Sequence, residues 1–588
     1  MKFLATKFHA AQCARMVTSV LCVLCASVVS SLALNREAFT ISSYDLNAQL
    51  DPQQQRLAVR GKITLRNDSN EPQKLAVLQI TSSLSWRSIR AGDKTLQAVM
   101  QPYASDLDHT GSLSEAIVTL PQPVAAKQTI ELEVAYEGVI VLDATRLTRI
   151  GTPDEIAHNN DWDQISANFT AVRGAGYVAW YPIATESANL SEGDSVFEVL
   201  GRWKAREAGS KMEVSFSLPV DSGDSPVPTG LCGGAQLWTV TPGGSPKWPW
   251  GKCSYATLGL ATPAFAVAGY KLLQRPSIDV YYLSGHDAAA ASYADNAEKA
   301  TAVIADWFGP QREKARTADL PDPDAAPFES GALLLTPLDG DSRFTGLAAA
   351  HQLTHASVVS FRPWIEEGLA HFAQALYLEQ QKNRQAALDY MGQHRAALGK
   401  IENATTAPRS EDEVNRSLVN TTNEELYRSK AMCVWWMLRD MVGDAPLKKA
   451  LAAYRPEQDK EPSYMPHLIA AQTGRDLEWF FDDWVYRDHG LPDFKIESAF
   501  PRKTLTNTFI VSVTVDNLGN AGAEVPIILK FTGGAVVKRL EVRAKGKATI
   551  RIETPQSPQE IVVNDGSVPE SKVSNNVFKL EPPAAAAQ

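Results

Sequence analysis

The chain has 588 residues, too many for one hydrophobic core, so three or four domains are predicted. Its hydrophobic content of 44% and charged content of 21% are ordinary for a folded globular protein. A net charge of −10, with no Lys/Arg run longer than two residues, argues against nucleic acid as a partner.

The N-terminus has the pattern of a secretory leader. Lys2, Lys7 and Arg15 precede an uncharged apolar run, Met16–Leu34, which ends in small residues. We therefore predict a signal peptide over residues 1–34 and an exported protein, periplasmic or secreted. The run is also about as long as a membrane span, so an uncleaved membrane anchor is the alternative.

Three of the six cysteines lie in this leader. Cys232 and Cys253 bracket a Gly/Pro/Trp-rich stretch and either pair, if the compartment is oxidising, or remain thiols. Cys433 lies in the apolar "AMCVWWML" and is interpreted as a buried small hydrophobe. The cysteine spacing matches no zinc motif.

Residues 35–272 are predicted to form an N-terminal all-β domain. Apolar and polar residues alternate in "SYDLNAQLDPQQQRLAVRGKITLRNDS", "TIELEVAYEGVIVL" and "KMEVSFSLPV", with turn residues between them. This alternation is typical of half-buried antiparallel strands. Nothing in the region carries obvious chemistry.

The composition then changes. "IDVYYLSG" is predicted to be a strand, and an alanine-rich helix follows that Gly309 and Pro310 end. "SGALLLTPL" reads as a short apolar strand, and helices are predicted from Thr345 to about Asp488. The predicted second domain covers residues 273–494.

Alternation returns near the C-terminus in "FIVSVTVDN", "EVPIILKFT" and "KATIRIET". These stretches predict a β-sandwich over residues 495–581. The tail, residues 582–588, is predicted to be disordered.

The helix around "HQLTH" carries the candidate metal site. His351 and His355 are four residues apart, so on a helix both imidazoles lie on one face. A second helix after Pro363 begins with Glu366 and Glu367, and by turning back it could bring one of these carboxylates to the imidazoles. Two histidines, one carboxylate and an open position for water form a catalytic zinc site. A solvated helix face is the alternative.

The stretch "HQLTH…WIEEGLAHF" resembles the zinc core of the aminopeptidase N family of gluzincin zinc metallopeptidases, whose pattern is H-E-x-x-H followed by N-E-G or E-E-G. The resemblance implies zinc as cofactor, Glu367 as the third ligand beside His351 and His355, and Glu366 as its variable neighbour. "LYRSKAMCVWWMLRDMVGD" is similar to the family's Y-x-K-G helix, which makes Tyr427 the candidate oxyanion donor.

The same resemblance implies the fold class. We expect a multidomain α+β protein with an N-terminal all-β saddle-like domain, a thermolysin-like, mostly helical catalytic domain and a C-terminal β-sandwich. "ADWFGP" and "DLEWFFDDWVYRDHGLPDFKI" resemble further parts of the family's catalytic domain.

The motif departs from the family at its general base. Gln352 stands where the family has Glu, and an amide has no titratable proton to exchange with water. Gln352 could still orient a water by hydrogen bonding. Glu366 could replace the base only if the fold turned it toward the metal.

Two further departures concern substrate and transition-state contacts. The family's G-A-M-E-N strand, whose Glu binds a peptide's free amine, is reduced here to Gly331 and Ala332, with Glu329 two residues before Gly331. These three are the candidate substrate-binding residues, but strict aminopeptidase specificity is not predicted. One extra residue separates Tyr427 from Lys430.

His371, one turn after Glu367, is interpreted as a partner of a ligand, an additional ligand or a packing histidine. The predicted function is that of an exported zinc metallopeptidase with a peptide substrate, attenuated by Gln352. The alternative is a catalytically inactive pseudopeptidase that binds metal and either peptides or a protein partner. A β-rich adhesion or carbohydrate-binding protein is a third hypothesis.

Overall fold

The computed structural model describes residues 34–192, 195–218, 228–239, 250–339, 345–404, 417–419, 421, 423, 425–487 and 489–580. The predicted C-terminal tail and all but the last residue of the predicted leader lie outside these ranges. Among the described helices, none combines the length and the apolar character that crossing a bilayer requires.

The first part of the chain is built mainly from strands. They are β1 (Phe39–Asp51), β2 (Arg56–Asn67), β3 (Gln73–Thr81), β4 (Leu84–Ala91), β5 (Lys94–Thr95), β6 (Ala98–Ala104), β7 (Ser112–Val124), β8 (Thr129–Val139), β9 (Phe169–Val172), β10 (Lys211–Ser217), β11 (Thr229–Cys232), β12 (Ala235–Thr239), β13 (Trp250–Tyr255) and β14 (Phe265–Ala268).

These strands form three sheets. The largest has the order β12-β13-β10-β1-β2-β8-β4-β5, and two three-stranded sheets have the orders β3-β7-β6 and β11-β14-β9. The predicted alternation is visible in β1, where Leu46, Ala48 and Leu50 are buried and the residues between them are exposed. A disulfide joins Cys232 at the end of β11 to Cys253 in β13. Of the two alternatives that the sequence left open, a disulfide or two thiols, the structure has the disulfide.

The expectation of an all-β region is wrong where helices occur, and the longest of them spans Ser195–Glu207. Val196, Val199 and Trp203 are buried along it at spacings of three and four residues, which is the periodicity of a helix face and not of a strand. Shorter helices lie at Thr145–Thr148 and Asp154–Asn160, and a 3₁₀ turn at Pro52–Gln54.

A five-stranded mixed sheet follows. Its strands are β15 (Lys271–Gln274), β16 (Ile278–Tyr282), β17 (Ala315–Asp319), β18 (Phe328–Ser330) and β19 (Leu333–Thr336), in the order β15-β16-β17-β19-β18. The predicted domain boundary after residue 272 falls inside β15, which pairs with β16. The edge strand β18 runs antiparallel to β19.

Helices dominate the next part, as predicted. They span Asp287–Phe308, Thr345–Ser357, Pro363–Gln381, Arg384–Gln393, Arg395–Ala404, Ala431–Val442, Asp444–Ala453, Tyr464–Ala470 and Glu478–Phe481, with π-helical turns at Leu426–Lys430 and Asp482–Tyr486 and a 3₁₀ turn at Pro456–Gln458. Below, Thr345–Ser357 is called the histidine helix and Pro363–Gln381 the glutamate helix.

The C-terminal strands pack as two facing sheets. They are β20 (Phe494–Lys503), β21 (Phe509–Asn517), β22 (Ala523–Phe531), β23 (Gly534–Val542), β24 (Lys547–Thr554), β25 (Glu560–Val563) and β26 (Val577–Lys579), in the orders β20-β21-β24 and β23-β22-β25-β26. Valines of β21 and β22 share one hydrophobic core with the helices. The architecture is thus α+β, with several sheets beside a helical region.

Candidate metal centre

The histidine helix and the glutamate helix pack against each other. Each carries two polar residues four positions apart, His351 and His355 on one helix and Glu367 and His371 on the other, so each pair lies on one face. Pro363, with its fixed φ, occupies the first turn of the glutamate helix and marks its start. This helical hairpin brings the three predicted metal ligands together.

The distances within the cluster are short. Nε2 of His351 lies 3.1 Å from Nε2 of His355. The Glu367 carboxylate lies 3.7 Å from Nε2 of His351 and 3.9 Å from Nε2 of His355. Both imidazoles are buried.

These residues fit a zinc ion. Zinc in proteins binds imidazole nitrogen and carboxylate oxygen, and the two Nε2 atoms face each other closely enough to share one cation. The Oε2 atom of Glu367 is buried and accepts no hydrogen bond from the described residues. The Arg428 guanidinium, with Nε at 3.4 Å from this oxygen, supplies the positive charge that a buried carboxylate needs.

The glutamate helix lies close to the helix Ala431–Val442 because of Gly368. A Cβ at that position would stand 2.7 Å from Cβ of Ala431 and 3.1 Å from Nε1 of Trp435, so a larger side chain would push the helices apart. Nε1 of Trp435 donates a hydrogen bond to the Trp364 carbonyl at 2.9 Å. This close packing positions the π-helical turn that precedes Ala431 beside the metal cluster.

Arg428 on that turn faces the cluster, which the sequence did not predict. Its Nε lies 3.4 Å from Oε2 of Glu367. Burial would raise the pKa of Glu367, but Arg428, His355 and His351 outweigh it and hold this pKa well below the usual range. The carboxylate is therefore ionised at any physiological pH, as a metal ligand must be.

Tyr427, the predicted oxyanion donor, is half-buried on the same turn. Among the described residues that line the cavity at the cluster, its neighbour Arg428 is present and Tyr427 is not. The π-helical turn Leu426–Lys430 accommodates one residue more than an α-helical turn, and each residue rotates a side chain by about 100°. The extra residue before Lys430 is thus accommodated in a π-helical turn, from which Arg428 lines the cavity.

Gln352 lies in the core beneath the cluster and is fully buried. Its Nε2 donates to the Arg316 carbonyl at 2.6 Å and the Ala332 carbonyl at 3.2 Å. Its Oε1 accepts from the Tyr293 hydroxyl at 2.9 Å and the Thr317 hydroxyl at 3.0 Å. All four hydrogen-bonding positions of the amide are thus used within the protein. The expectation that Gln352 orients a water therefore needs correction, since no position is left for one.

Glu366 lies beside the outer nitrogen of an imidazole. Its Oε1 is 3.7 Å from Nδ1 of His355, and its Oε2 accepts a hydrogen bond from the Ser360 amide at 3.4 Å. Burial lowers the pKa of His355, but Glu366, Glu367 and Glu329 outweigh it and raise this pKa to about 9. Glu366 thus contacts the outer nitrogen of His355 and is not turned toward the Nε2 atoms that face each other in the cluster.

His371 is close to the cluster as well. Its ring lies 4.9 Å from that of His351, and its Nδ1 is 3.5 Å from the Tyr390 hydroxyl. Burial, followed by the neighbouring His351, lowers the pKa of His371 well below its ordinary value. The candidate ligand atoms of His351, Glu367 and His371 all lie within 4.8 Å of one another, so His371 is close enough to be an additional metal ligand.

The three predicted substrate-binding residues are not on one regular strand. Ser330 pairs with Leu333, so Gly331 and Ala332 form the two-residue turn between β18 and β19. Gly331 has φ = 60°, the conformation that a type II′ hairpin turn requires at its first central residue. Glu329 lies in β18 and Gly331 in the turn that follows, so the two residues do not share one face of a strand.

Glu329 instead reaches the histidines. Its Oε2 lies 2.9 Å from Nε2 of His351 and 3.7 Å from Nε2 of His355. Its candidate ligand atom lies within 4.8 Å of those of both histidines. The sequence predicted a contact between Glu329 and substrate and gave no sign of this position.

The cluster opens into a cavity of about 570 Å³. His351, His355 and Glu329 line it, and so do Val196, Phe197, Leu200 and Lys204 of the helix Ser195–Glu207. The cavity thus combines a polar, ionisable end with an apolar wall, which is the usual composition of a small-molecule or peptide site.

No protein-family model matches the chain, and no curated protein matches it. Among solved structures, the M1 zinc metallopeptidase from Deinococcus radiodurans is similar at 16% sequence identity and a TM-score of 0.48, covering 76% of this chain and 94% of that chain. A point mutant of that enzyme bound to a Tyr-Ser-Ala substrate is similar at 17% identity and a TM-score of 0.47, covering 76% and 94%. The structural neighbours are thus M1 zinc metallopeptidases, and the low TM-scores make this a likeness only.

Proposed function

We propose that the protein is a zinc-dependent hydrolase of peptide bonds, of the aminopeptidase N type, with His351, His355 and Glu367 as the residues that hold the metal. The observation that carries the proposal is the convergence of these three side chains, with distances of 3.1 to 3.9 Å between their ligand atoms, at the polar end of a cavity. Zinc, when bound, lowers the pKa of water to about 7 and polarises carbonyl groups.

The chain's own residues prepare this site. Arg428 keeps Glu367 ionised, and Glu366 holds the Nδ1 side of His355, which orients the imidazole. The apolar wall of Val196, Phe197 and Leu200 suits an apolar side chain of a peptide whose backbone reaches the polar end. Peptides are therefore the proposed substrate class, with exo- or endo-cleavage left to the experiment below.

Turnover is proposed to be slow. A general base typically contributes about 10²–10⁴ in rate, and Gln352 supplies none because its amide is fully bonded within the core. This observation also favours the second candidate function, a metal-binding pseudopeptidase whose cavity binds a peptide or a protein partner without cleaving it.

The exported location is proposed on separate grounds. A disulfide between Cys232 and Cys253 persists in the periplasm or outside the cell and is rare in the cytosol. This agrees with the leader-like N-terminus, and both support export without identifying the compartment.

The test is cleavage of a mixed peptide library by the zinc-loaded protein, with products read by mass spectrometry. We expect slow cleavage that a chelator abolishes and that Glu367→Ala removes, with the positions of new termini separating exo- from endo-cleavage. The matched control is Glu313→Ala, a carboxylate at 44% side-chain exposure that is absent from the cavity lining.

Two outcomes would contradict the peptidase. Cleavage that is equal in wild type and Glu367→Ala would come from a contaminant or from another site. Zinc binding without cleavage, combined with saturable retention of library peptides, would establish the pseudopeptidase instead.

A further inference from the structure

We infer that Glu329 is a fourth protein ligand of the metal, so that the resting site is closed by two histidines and two glutamates. The inference rests on the proposed metal site and concerns a residue outside the motif that predicted it. Its main support is distance: Oε2 of Glu329 lies 2.9 Å from Nε2 of His351, whereas the Glu367 carboxylate lies at 3.7 Å.

The fold fixes Glu329 from both sides. In a strand, neighbouring side chains point to opposite faces, so Phe328 and Ser330 share one face and Glu329 takes the other. The Phe328 ring packs edge-to-face on Tyr177 at 5.4 Å, and the Ser330 hydroxyl donates to the Thr262 carbonyl at 2.7 Å. These contacts hold the strand β18 so that the Glu329 carboxylate is presented to the histidines.

Metal binding changes what the short distance between Glu329 and His351 means. An imidazole nitrogen that binds a metal carries no proton, so it cannot donate a hydrogen bond to Glu329. Without metal, the Nε2–H tautomer of His351 can donate to Glu329 across this 2.9 Å. Once that nitrogen binds a metal, the two acceptor atoms can stay this close only with a cation between them. A carboxylate at that distance from a ligand nitrogen is therefore itself in the position of a ligand.

The remaining distances agree with one shared ion. Zinc bonds to nitrogen and oxygen are about 2.0–2.1 Å long, so the edges of a tetrahedral site are about 3.3–3.4 Å. The distances from the two Nε2 atoms to each other and to the two carboxylates run from 2.9 to 3.9 Å, on both sides of that value. Five of the six pairs among the four side chains thus lie near the edge length of a tetrahedral site, with Glu367 placing Oε2 toward His351 and Oε1 toward His355.

A closed site has a functional consequence. Catalytic zinc sites keep one position open for water, whereas sites with four protein ligands are closed. Glu329 would fill that open position, so a substrate or water reaches the metal only after the carboxylate withdraws. Turnover would then be slowed in two ways, by the missing general base at position 352 and by the need for Glu329 to leave the metal.

The test measures metal binding and not hydrolysis. In zinc titrations against a competing chelator, Glu329→Gln should weaken the affinity by at least about tenfold, as Glu367→Gln should, with Glu313→Gln as the control that leaves it unchanged. Glu329→Gln keeps the shape of the side chain, and circular dichroism and thermal unfolding verify that it folds.

A second measurement uses the wild-type chain and so does not depend on any variant folding. Cobalt(II) replaces zinc, and its visible spectrum is followed while azide is added. A closed site gives no spectral change, and Glu329→Ala, which opens a position, should gain one.

The outcomes separate the two proposals. Two outcomes refute the fourth ligand: Glu329→Gln binds zinc as wild type does, or the wild-type cobalt protein takes up azide. If Glu367→Gln binds zinc weakly in either case, the three-ligand site stands. If neither Glu329→Gln nor Glu367→Gln changes zinc affinity, both the fourth ligand and the proposed metal centre are refuted.

Discussion

Gln352 stands where the motif that this chain resembles has a general-base Glu, and here the side chain serves the packing of the core. Its amide donates two hydrogen bonds to backbone carbonyls and accepts two from hydroxyl groups, and a carboxylate can only accept. The substitution Gln352→Glu should therefore not restore a general base. It should leave the carbonyls of Arg316 and Ala332 facing a negative oxygen.

We predict that Gln352→Glu lowers the free energy of unfolding by on the order of 2–3 kcal/mol, because buried acceptors lose their donors. Burial also raises the pKa of such a carboxyl, so the loss should grow as the pH rises from 5 to 8. Urea unfolding at both pH values measures this.

The control for this prediction is Gln352→Met, which removes the same hydrogen bonds but has no charge, so its loss of stability should not depend on pH. A Gln352→Glu protein that was as stable as wild type at both pH values and cleaved peptides faster would show that the side chain turns toward the metal after all.

Among the residues of the candidate site, the sequence predicted those whose positions depend on local spacing along a helix. His351 and His355 follow from a four-residue repeat, and Glu367 from the resemblance of the segment after Pro363. Glu329 could not be predicted as a ligand, because its position depends on a hairpin turn at Gly331 and on packing against a distant part of the chain. Arg428 was missed because a π-helical turn changes the phase of the side chains, and the extra residue between Tyr427 and Lys430 was not interpreted as the sign of such a turn.

Among the elements, Ser195–Glu207 is the longest of the helices that were missed in the N-terminal region. It forms the apolar wall of the cavity, and it ends in a buried carboxyl. Oε1 of Glu207 accepts a hydrogen bond from the Ile41 amide at 3.0 Å, and Oε2 accepts one from the Ser210 hydroxyl at 3.0 Å. Burial raises the pKa of Glu207 to about 7, although Arg206 and these hydrogen bonds oppose the change.

This raised pKa predicts a pH-dependent stability. A carboxyl whose pKa is higher in the folded state than its ordinary 4.5 contributes its full stability below pH 4.5 and loses it as the pH rises through 7. The difference corresponds to on the order of 3 kcal/mol. We therefore expect Glu207→Gln to be close to wild type at pH 5 and more stable than wild type at pH 8.

Denaturant unfolding at pH 5, 6.5 and 8 measures the effect of Glu207→Gln. The pH 5 comparison is the internal control, because there both side chains are neutral and nearly the same shape. A wild-type stability that did not fall between pH 5 and 8 relative to the variant would mean that the Glu207 carboxyl ionises without cost in the folded protein.

For the whole molecule, the hydrophobic cores do not coincide with the three domains predicted from the sequence. The sheets of the first part enclose one hydrophobic cluster, which includes Val59, whereas the helices and the C-terminal sandwich share another, which includes Val525. Nε1 of Trp484 donates to the Gly522 carbonyl at 2.7 Å, and Arg539 pairs with Asp440 at 3.1 Å. The sequence predicted a sandwich as a separate domain but could not predict that it completes the core of the helical region.

This shared core predicts that the sandwich and the metal cluster unfold together. Val525→Ala, in a fully buried position of β22, should cost on the order of 2 kcal/mol and should lower the amide exchange protection of the glutamate helix, whose Phe372 lies in the same core, by the same free energy. Val59→Ala is the matched control, since it removes the same atoms from a fully buried position of β2 in the other core. It should lower protection in the β1–β2 pair and leave the glutamate helix unchanged. Equal effects of both variants on that helix would mean one cooperative unit for the whole chain, and no effect of Val525→Ala there would mean that the sandwich is independent.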